Sequence, residues 1–156
     1  MSKVISFEVH NHELHEIAMK IRSQVFVEEQ GVPADLELDH EEDSVHFLLY
    51  FRKKPVGTAR FRETENGVKL ERFAILSNFR GLGLGNDLIR FVLTKAREKR
   101  RPIYLNAQVQ VVDYYTKWGF IKEGDAFFEA GIQHFKMVYH SFDLVNKALP
   151  KAICRR

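Results

Sequence analysis

Hydrophobic residues recur along this chain with two different spacings, and the spacings predict an alternation of strands and helices. In the middle of the chain they return every three or four positions, which is typical of a helix with one buried face. That face comprises Leu88, Ile89, Val92, Leu93 and Ala96. A second helical face follows Asn11, a residue suited to capping a helix. It comprises Leu14, Ile17, Ala18, Ile21 and Val25.

Shorter apolar or alternating stretches predict the strands. Asn66-Gly67 is a strong signal for a tight hairpin between two of them. The predicted strands cover residues 4–9, 45–51, 56–62, 70–75, 103–107, 120–128 and 133–139. A short helix over residues 111–118 is expected to end at Gly119. The pattern therefore predicts an α/β fold with a mixed, mostly antiparallel sheet of about seven strands and helices on both faces.

Composition narrows the class of protein. A chain of 156 residues with 45% hydrophobic and 29% charged residues is expected to form one domain with a substantial core. No apolar run is long enough for a membrane span, and no signal-peptide pattern opens the chain. The single cysteine, Cys154, fits a reducing cytoplasm. The net charge of +3 is mild, so we expect neither a nucleic-acid nor a membrane partner.

A glycine loop between a strand and the central helix is the first candidate site. Glycines there let a ligand approach the backbone closely, and the first N–H groups of the helix point outward beside its positive end. Such a loop binds phosphate, and Arg80 adds a cation at its entrance. Asn86 stands where a dinucleotide fingerprint needs its third glycine, and no lysine followed by Ser or Thr forms a P-loop.

Two motifs give the chain a family resemblance. Arg80-x-x-Gly83-x-Gly85 resembles the pyrophosphate loop of the GNAT acetyltransferase superfamily, and Tyr115-x-x-x-Gly119-Phe120 resembles its second motif. The opening of the chain looks like the ElaA-like and YjcF-like branch in the stretch Arg22-x-x-Val25-Phe26-x-x-Glu29-Gln30-x-Val32-Pro33. The resemblance implies a GNAT-type acyl-CoA N-acyltransferase fold with a splayed sheet.

The resemblance also implies a reaction, which is direct transfer of an acetyl group from acetyl-CoA to a small primary amine in a ternary complex. Tyr115 is expected to protonate the leaving thiolate. The backbone near Phe73, Ala74 and Ile75 is expected to contact the pantetheine arm and stabilise the oxyanion. The expected pyrophosphate contacts are Arg80, Gly81, Leu82, Gly83, Leu84, Gly85 and Asn86.

The general base stays open at the level of sequence. Lys69 stands where the best-known GNAT catalytic glutamate would fall, so the resemblance does not supply it. Glu71, whose side chain either enters the cleft or pairs with an arginine, and Glu29 are the favoured candidates, with Asp39 and His134 as further ones. The residues expected to contact the acceptor are Phe26, Gln30, Asn106 and His134. An acidic segment, residues 34–44, is expected to be either a solvated loop or a loop near the active site that attracts a cationic acceptor.

The sequence leaves several alternatives. Residues 1–141 are expected to form a single N-acetyltransferase domain and residues 142–156 a basic tail. No metal is expected, because the histidines near the N-terminus lack further ligands at suitable spacing. A homodimer is left open, since edge strands offer an interface. The alternative functions are an acyltransferase resembling the acyl-homoserine-lactone synthases and a CoA-binding regulatory module without turnover.

Overall fold

The computed structural model describes residues 1–34 and 39–140. The chain divides into two compact units, Met1–Arg101 and Pro102–Arg156, and each is described by itself. The basic tail predicted over residues 142–156 lies outside the described residues.

The first unit is built on four antiparallel strands that pair in chain order. They are β1 (Ser2–Glu8), β2 (Ser44–Phe51), β3 (Lys54–Thr64) and β4 (Gly67–Ile75). Arg52 and Lys53 both have positive φ and form a two-residue turn between β2 and β3. The predicted hairpin at Asn66-Gly67 is confirmed, because Thr64 pairs with Gly67 across the turn.

Two helices cover opposite faces of this sheet. Helix α1 (His12–Arg22) begins at Asn11, whose side chain accepts a hydrogen bond of 3.2 Å from the Leu14 amide. It continues as a π-helical segment, Ser23–Glu29. The second helix, α2 (Leu84–Arg97), follows β4 after a 3₁₀ turn, Ser77–Phe79. Leu48 belongs to the core beneath α1, and the ring of its neighbour Phe47 contacts Phe91 of α2. Since neighbouring strand residues face opposite sides, the prediction of helices on both faces is confirmed here.

Apolar burial against α1 and α2 matches the sequence pattern. Under α1 the core is formed by Phe7, Ala18, Ile21, Val25, Leu48 and Ala74. All five residues of the predicted face of α2 are buried, and the most exposed of them is Leu93 at 6%.

Strand β4 contains a β-bulge that the sequence pattern did not predict. Thr58 pairs with Ala74 but Arg60 pairs with Glu71, so Arg72 and Phe73 together face the single residue between Thr58 and Arg60 on β3. Arg72 adopts a positive φ of 61°. Just beyond the bulge, Gly57 of β3 pairs with Ile75 of β4. A Cβ added at Gly57 would lie 2.7 Å from Ile75 Cδ1.

Charged and polar side chains occupy the other end of the face beneath α1. His46, Arg60 and Glu71 are aligned across β2, β3 and β4 by the strand register. Glu41 lies over them and bonds Arg22 of α1 at 2.8 Å and Arg60, and its carboxylate also accepts a 2.7 Å hydrogen bond from His15. Arg22 and Arg60 are each only 1% exposed. We call Arg22, Glu41 and Arg60 the buried ion network.

The second unit is a smaller antiparallel sheet with one helix. Its elements are β5 (Ile103–Gln108), a 3₁₀ turn (Val109–Val111), α3 (Val112–Lys117), β6 (Phe120–Lys122), β7 (Phe127–Glu129) and β8 (Ile132–Tyr139). β8 pairs with β5, β6 and β7. The single strand expected over residues 120–128 was wrong, because Gly124 has a φ of 83° and the chain turns there. The described residues therefore contain eight strands, four in each unit. In the same part of the chain, every helix is too short or too polar to cross a bilayer.

We expect Gly57→Ala to destabilise the first unit by about 1–3 kcal/mol, as overpacking does in well-packed sites. The new methyl group would meet Ile75 Cδ1 at 2.7 Å, Leu49 Cδ2 at 3.0 Å and the Ala74 carbonyl oxygen at 3.1 Å. Urea denaturation measures the change in the free energy of unfolding. Ile75→Val removes the closest contact atom, so the double variant should lose less than the sum of the two single variants. Simple additivity would contradict this explanation.

We expect Glu41→Gln to lower the free energy of unfolding by about 3 kcal/mol at pH 7, because it leaves two buried guanidinium groups without their shared carboxylate. Burial acts to raise the pKa of Glu41, but the hydrogen bond and charge of Arg22, with His15 and Arg60, outweigh burial and hold the pKa below its ordinary 4.5. The stabilisation is therefore fully present above about pH 4.5 and is lost as the pH falls through the folded-state pKa.

The difference between wild type and Glu41→Gln should accordingly narrow below pH 4.5. Asp43→Asn is the matched control, since the Asp43 side chain is 73% exposed and its ion-pair distance to His40 is 3.7 Å. We expect that control to change stability by less than about 0.5 kcal/mol. A gap between wild type and Glu41→Gln that stays constant from pH 7 to pH 3 would disprove the role given to Glu41.

Candidate functional site

The glycine loop has a left-handed backbone conformation at two of its glycines. Gly81 and Gly83 have φ values of 81° and 78°, in the left-handed region where residues with a Cβ are strained. Gly83 is the residue that caps α2, and no side chain caps the first turn of that helix. An added Cβ at Gly81 or Gly83 would meet nothing within 4 Å. The loop is thus open above its backbone.

The central helix begins earlier than the sequence pattern suggested. Leu84, Gly85 and Asn86 belong to its first turn, and the Asn86 amide donates to the Gly83 carbonyl at 3.2 Å. Leu84 is buried at 4% exposure and anchors this turn, whereas Leu82 is 56% exposed. The first N–H groups of a helix lack partners within the helix and lie at its positive end. This end of α2 can therefore accept an anion.

Arg80 is joined to two other predicted site residues. Its Nη1 and Nη2 atoms each donate to one oxygen of Glu29 at 3.0 Å, and its Nε donates to the Ile75 carbonyl at 2.8 Å. Arg80 and Glu29 remain 45% and 39% exposed. The structure thus brings together the end of β4, the entrance of the glycine loop and the end of the π-helical segment.

The end of β4 follows directly on the bulge. Ala74 is buried in the core beneath α1, while Phe73 and Ile75 are partly exposed. The bulge changes the direction of the strand just before these three residues. The Leu76 amide donates to the Val56 carbonyl at 2.9 Å, which holds the strand end against β3.

Glu71 is paired with arginines, which is one of the two alternatives that the sequence left open for it. It bonds Arg62 Nε at 2.6 Å and Arg60 Nη2 at 3.2 Å, with Lys69 Nζ at 3.7 Å. Burial acts to raise the pKa of Glu71, but the charges of Arg60, Lys69, Arg62 and Arg72 prevail and hold the pKa below its ordinary value. Glu71 is therefore ionised at neutral pH and binds a proton weakly.

Two carboxylates of the acidic segment, Asp39 and Glu41, are paired with arginines. Asp39 accepts from Arg60 at 3.1 Å and from Arg72 at 3.0 Å. Burial acts to raise the pKa of Asp39, but a hydrogen bond from Arg60 and the charges of Arg72 and Arg60 lower it overall. Asp39 and Glu41 therefore contribute little net charge to attract a cation. Residues 35–38 of this segment lie outside the described residues.

One grouping has the ligand types of a metal site. His15, Glu41 and His46 each place a ligand atom within 4.8 Å of the others. His46 Nε2 donates to the Glu41 backbone carbonyl at 3.0 Å, and both side-chain oxygens of Glu41 accept from guanidinium groups. Hydrogen bonds among the residues present thus explain the grouping. The expected absence of a metal stays a prediction.

Tyr115 lies on α3 in the second unit and packs against other aromatic rings. Its ring is edge-on to Tyr114 at 5.3 Å and to Phe120 at 5.9 Å between centroids. Burial, with a smaller contribution from Tyr114, raises the pKa of Tyr115 well above that of a free phenol. The hydroxyl group is therefore protonated at neutral pH.

His134 and Asn106 also belong to the second unit. His134 is buried, donates from Nδ1 to the Ile132 carbonyl at 2.6 Å and stacks on Phe127. Its Nε2 lies 3.8 Å from a Glu129 oxygen. Asn106 sits in β5, opposite Lys136 of β8.

Phe26 lies in the π-helical segment that follows α1, and Gln30 follows that segment. Phe26 is partly buried against the core beneath α1. The Gln30 amide donates to the Val25 carbonyl at 3.2 Å. Both residues lie within three residues of Glu29 in the chain.

Sequence reasoning missed His46 and Arg60. His46 is a polar residue inside an otherwise apolar strand, and that interruption was an available signal. Arg60 lies among other polar residues of β3, so its burial follows only from the structure. Each is 1% exposed.

Comparison with known proteins identifies the family. A family model described as "Acetyltransferase (GNAT) domain" matches residues 9–141. The Bacillus subtilis protein "Uncharacterized N-acetyltransferase YjcF" is 38% identical over 136 residues, which cover 82% of this chain and 94% of that protein.

Solved structures agree with this assignment. An acyl-CoA N-acyltransferase from Pseudomonas aeruginosa superposes with a TM-score of 0.79 at 26% identity, covering 90% of this chain and all of the other. Escherichia coli ElaA has the same TM-score and coverage at 24% identity, a level that shows the fold alone. The predicted GNAT fold and the resemblance to the ElaA-like and YjcF-like proteins are confirmed. The chain belongs to the GNAT family, and it is an acetyl-CoA-dependent N-acetyltransferase.

Proposed function

We propose that this enzyme moves the acetyl group of acetyl-CoA to a primary amine by direct attack in a ternary complex. The observation that carries the proposal is the open glycine loop, in which Gly81 and Gly83 adopt left-handed conformations before a helix whose first turn has no side-chain cap. Backbone N–H groups at such a turn suit a diphosphate. The expected contacts remain residues 80–86.

The end of β4 supports a role in positioning the thioester. The bulge at Arg72 and Phe73 redirects the strand, and its last residues lead within a few positions to the glycine loop. We propose that backbone groups of Phe73, Ala74 and Ile75 pair with the pantetheine arm. A backbone N–H in this stretch would then stabilise the oxyanion that forms on the thioester carbonyl.

We propose that Tyr115 is the general acid that protonates the departing CoA thiolate. Its raised pKa keeps the proton on the hydroxyl group at neutral pH, which is the state a proton donor needs. The ring contacts with Tyr114 and Phe120 hold the side chain in one orientation.

Glu29 and Glu71 are the proposed general bases, and the geometry favours Glu29. An alkylammonium ion with a pKa near 10.4 must lose a proton before it attacks. Glu71 has its charge stabilised by four cations, which weakens it as a base. Glu29 has Arg80 as its ion-pair partner at the entrance of the glycine loop.

The acceptor is proposed to contact Phe26, Gln30, Asn106 and His134. Phe26 and Gln30 lie within three residues of Glu29 in the chain, which supports their place near the attacking amine. The proposed acceptor class is a small primary amine.

The experiment that tests the proposal measures thiol release from acetyl-CoA with a panel of amines, together with CoA binding by calorimetry. We expect CoA to bind and at least one amine to stimulate thiol release. CoA binding without release for any amine would favour the regulatory module instead. Failure of the folded protein to bind CoA would refute the proposed donor site.

Gly83→Ala and Gly124→Ala form a matched pair for this test. Both residues have a positive φ, 78° and 83°, and an added Cβ meets nothing within 4 Å at either. Each substitution therefore introduces strain of about 1–2 kcal/mol in a left-handed residue. We expect only Gly83→Ala to weaken CoA binding, by about tenfold. Equal effects of the two variants would show that strain, rather than the loop, governs binding.

Tyr115→Phe should lower kcat by about 100-fold, because removing a positioned general acid typically costs two to four orders of magnitude. The affinity for CoA should stay within about twofold, since the aromatic ring is kept. Tyr114→Phe is the control and should retain turnover. Steady-state kinetics and calorimetry give both quantities. A folded Tyr115→Phe enzyme with full turnover would remove Tyr115 from this role.

A further inference from the structure

We propose that Glu29 and the diphosphate of coenzyme A compete for Arg80, so that binding of the donor breaks the Glu29–Arg80 ion pair and releases the Glu29 carboxylate. The inference rests on the proposed function, because it takes the glycine loop as the donor site. It adds a coupling between two groups that lie 51 positions apart in the chain.

The geometry of Arg80 shows why the two anions compete. Its Nε is held by the Ile75 carbonyl, so the guanidinium plane is anchored to the end of β4. Nη1 and Nη2 then donate to separate oxygens of Glu29, both at 3.0 Å. This forked arrangement suits a carboxylate and a phosphate equally. Glu29 thus occupies the donors of Arg80 that a phosphate would use.

The negative charge of Glu29 determines how its removal should change the affinity for the donor. Glu29 neutralises Arg80 at the entrance to a loop that offers N–H donors to an anion. While the pair is intact, a diphosphate approaching that loop meets a carboxylate rather than an available cation. Loss of the Glu29 charge should therefore strengthen binding of any ligand that carries the diphosphate.

The pair is also able to open. Both side chains are more than one-third exposed, so Glu29 can rotate into water without leaving a charge buried. Exposed ion pairs contribute little to stability, and the diphosphate of the donor, which carries two negative charges, is the stronger competitor. Gly31, with a φ of 71°, turns the chain two residues beyond Glu29.

For the reaction, the competition implies that the donor binds before Glu29 removes a proton from the amine. The carboxylate favoured as the general base is held by Arg80 until the donor has bound, and only then becomes available to take a proton from the amine. Deprotonation of the acceptor is thereby linked to a loaded donor site.

The test compares binding of CoA and of pantetheine, which lacks the diphosphate, by calorimetry at low ionic strength. Glu29→Gln keeps the size of the side chain and removes its charge. We expect it to bind CoA about two- to fivefold more tightly than wild type, the range that release of an exposed ion pair provides. Its affinity for pantetheine should not change. Glu29→Ala, which cannot accept a hydrogen bond from Arg80, should show the same gain.

Glu28→Gln is the matched control, since it removes the same charge from the neighbouring exposed position. It should leave the affinity for CoA at the wild-type value. If wild type binds CoA and Glu29→Gln binds it equally or more weakly, the competition is disproved while the proposed function stands. An equal gain in Glu28→Gln would also disprove it, because net charge would then explain the effect. If wild type does not bind CoA at all, the proposed donor site fails first, and the competition fails with it.

Discussion

Burial of the Arg60 guanidinium is the constraint on which the first unit depends. Arg60 lies in the middle of the sheet at 1% exposure, and a charge in such a place costs several kcal/mol unless it is paired. Asp39, Glu41 and Glu71 supply the partners. Because Asp39 and Glu41 supply two of these partners, residues 39–41 must lie against the sheet rather than extend into solvent.

The same network sets the position of α1. Glu41 bonds both Arg60 in the sheet and Arg22 on the helix, so the two elements are joined through a single carboxylate. The end of α1 then leads into the π-helical segment and to Glu29, whose partner Arg80 is fixed to the last residue of β4. Two sets of polar contacts, joined by the backbone of the π-helical segment, thus connect the interior of the sheet with the glycine loop. Local deviations from regular geometry occur beside them, at the bulge in β4 and in the π-helical segment, as is common near functional sites.

The sequence was sufficient to predict features that depend on neighbouring residues. Apolar spacing located α1 and α2, Asn66-Gly67 located a hairpin, and the glycine motif together with the Tyr115 motif identified the family. The predicted number of strands, about seven, was lower than the eight observed. The turn at Gly124 interrupts a stretch whose composition resembles one strand. Features that depend on distant partners were not predictable. The bulge at Arg72, the pairing of Glu71 with Arg60 and the contact between Glu29 and Arg80 each arise only after the sheet has brought separate segments together.

The buried ion network also constrains how this protein can diverge. Removal of Arg22, Glu41 or Arg60 alone takes an ion-pair partner from a buried charge, whereas replacing all of them with apolar residues of similar volume can be nearly neutral. Sequences in which only one or two of these three residues have been replaced are therefore disfavoured. Positions 22, 41 and 60 are expected to change together or to stay as they are, so substitutions at them should covary across descendants of this chain.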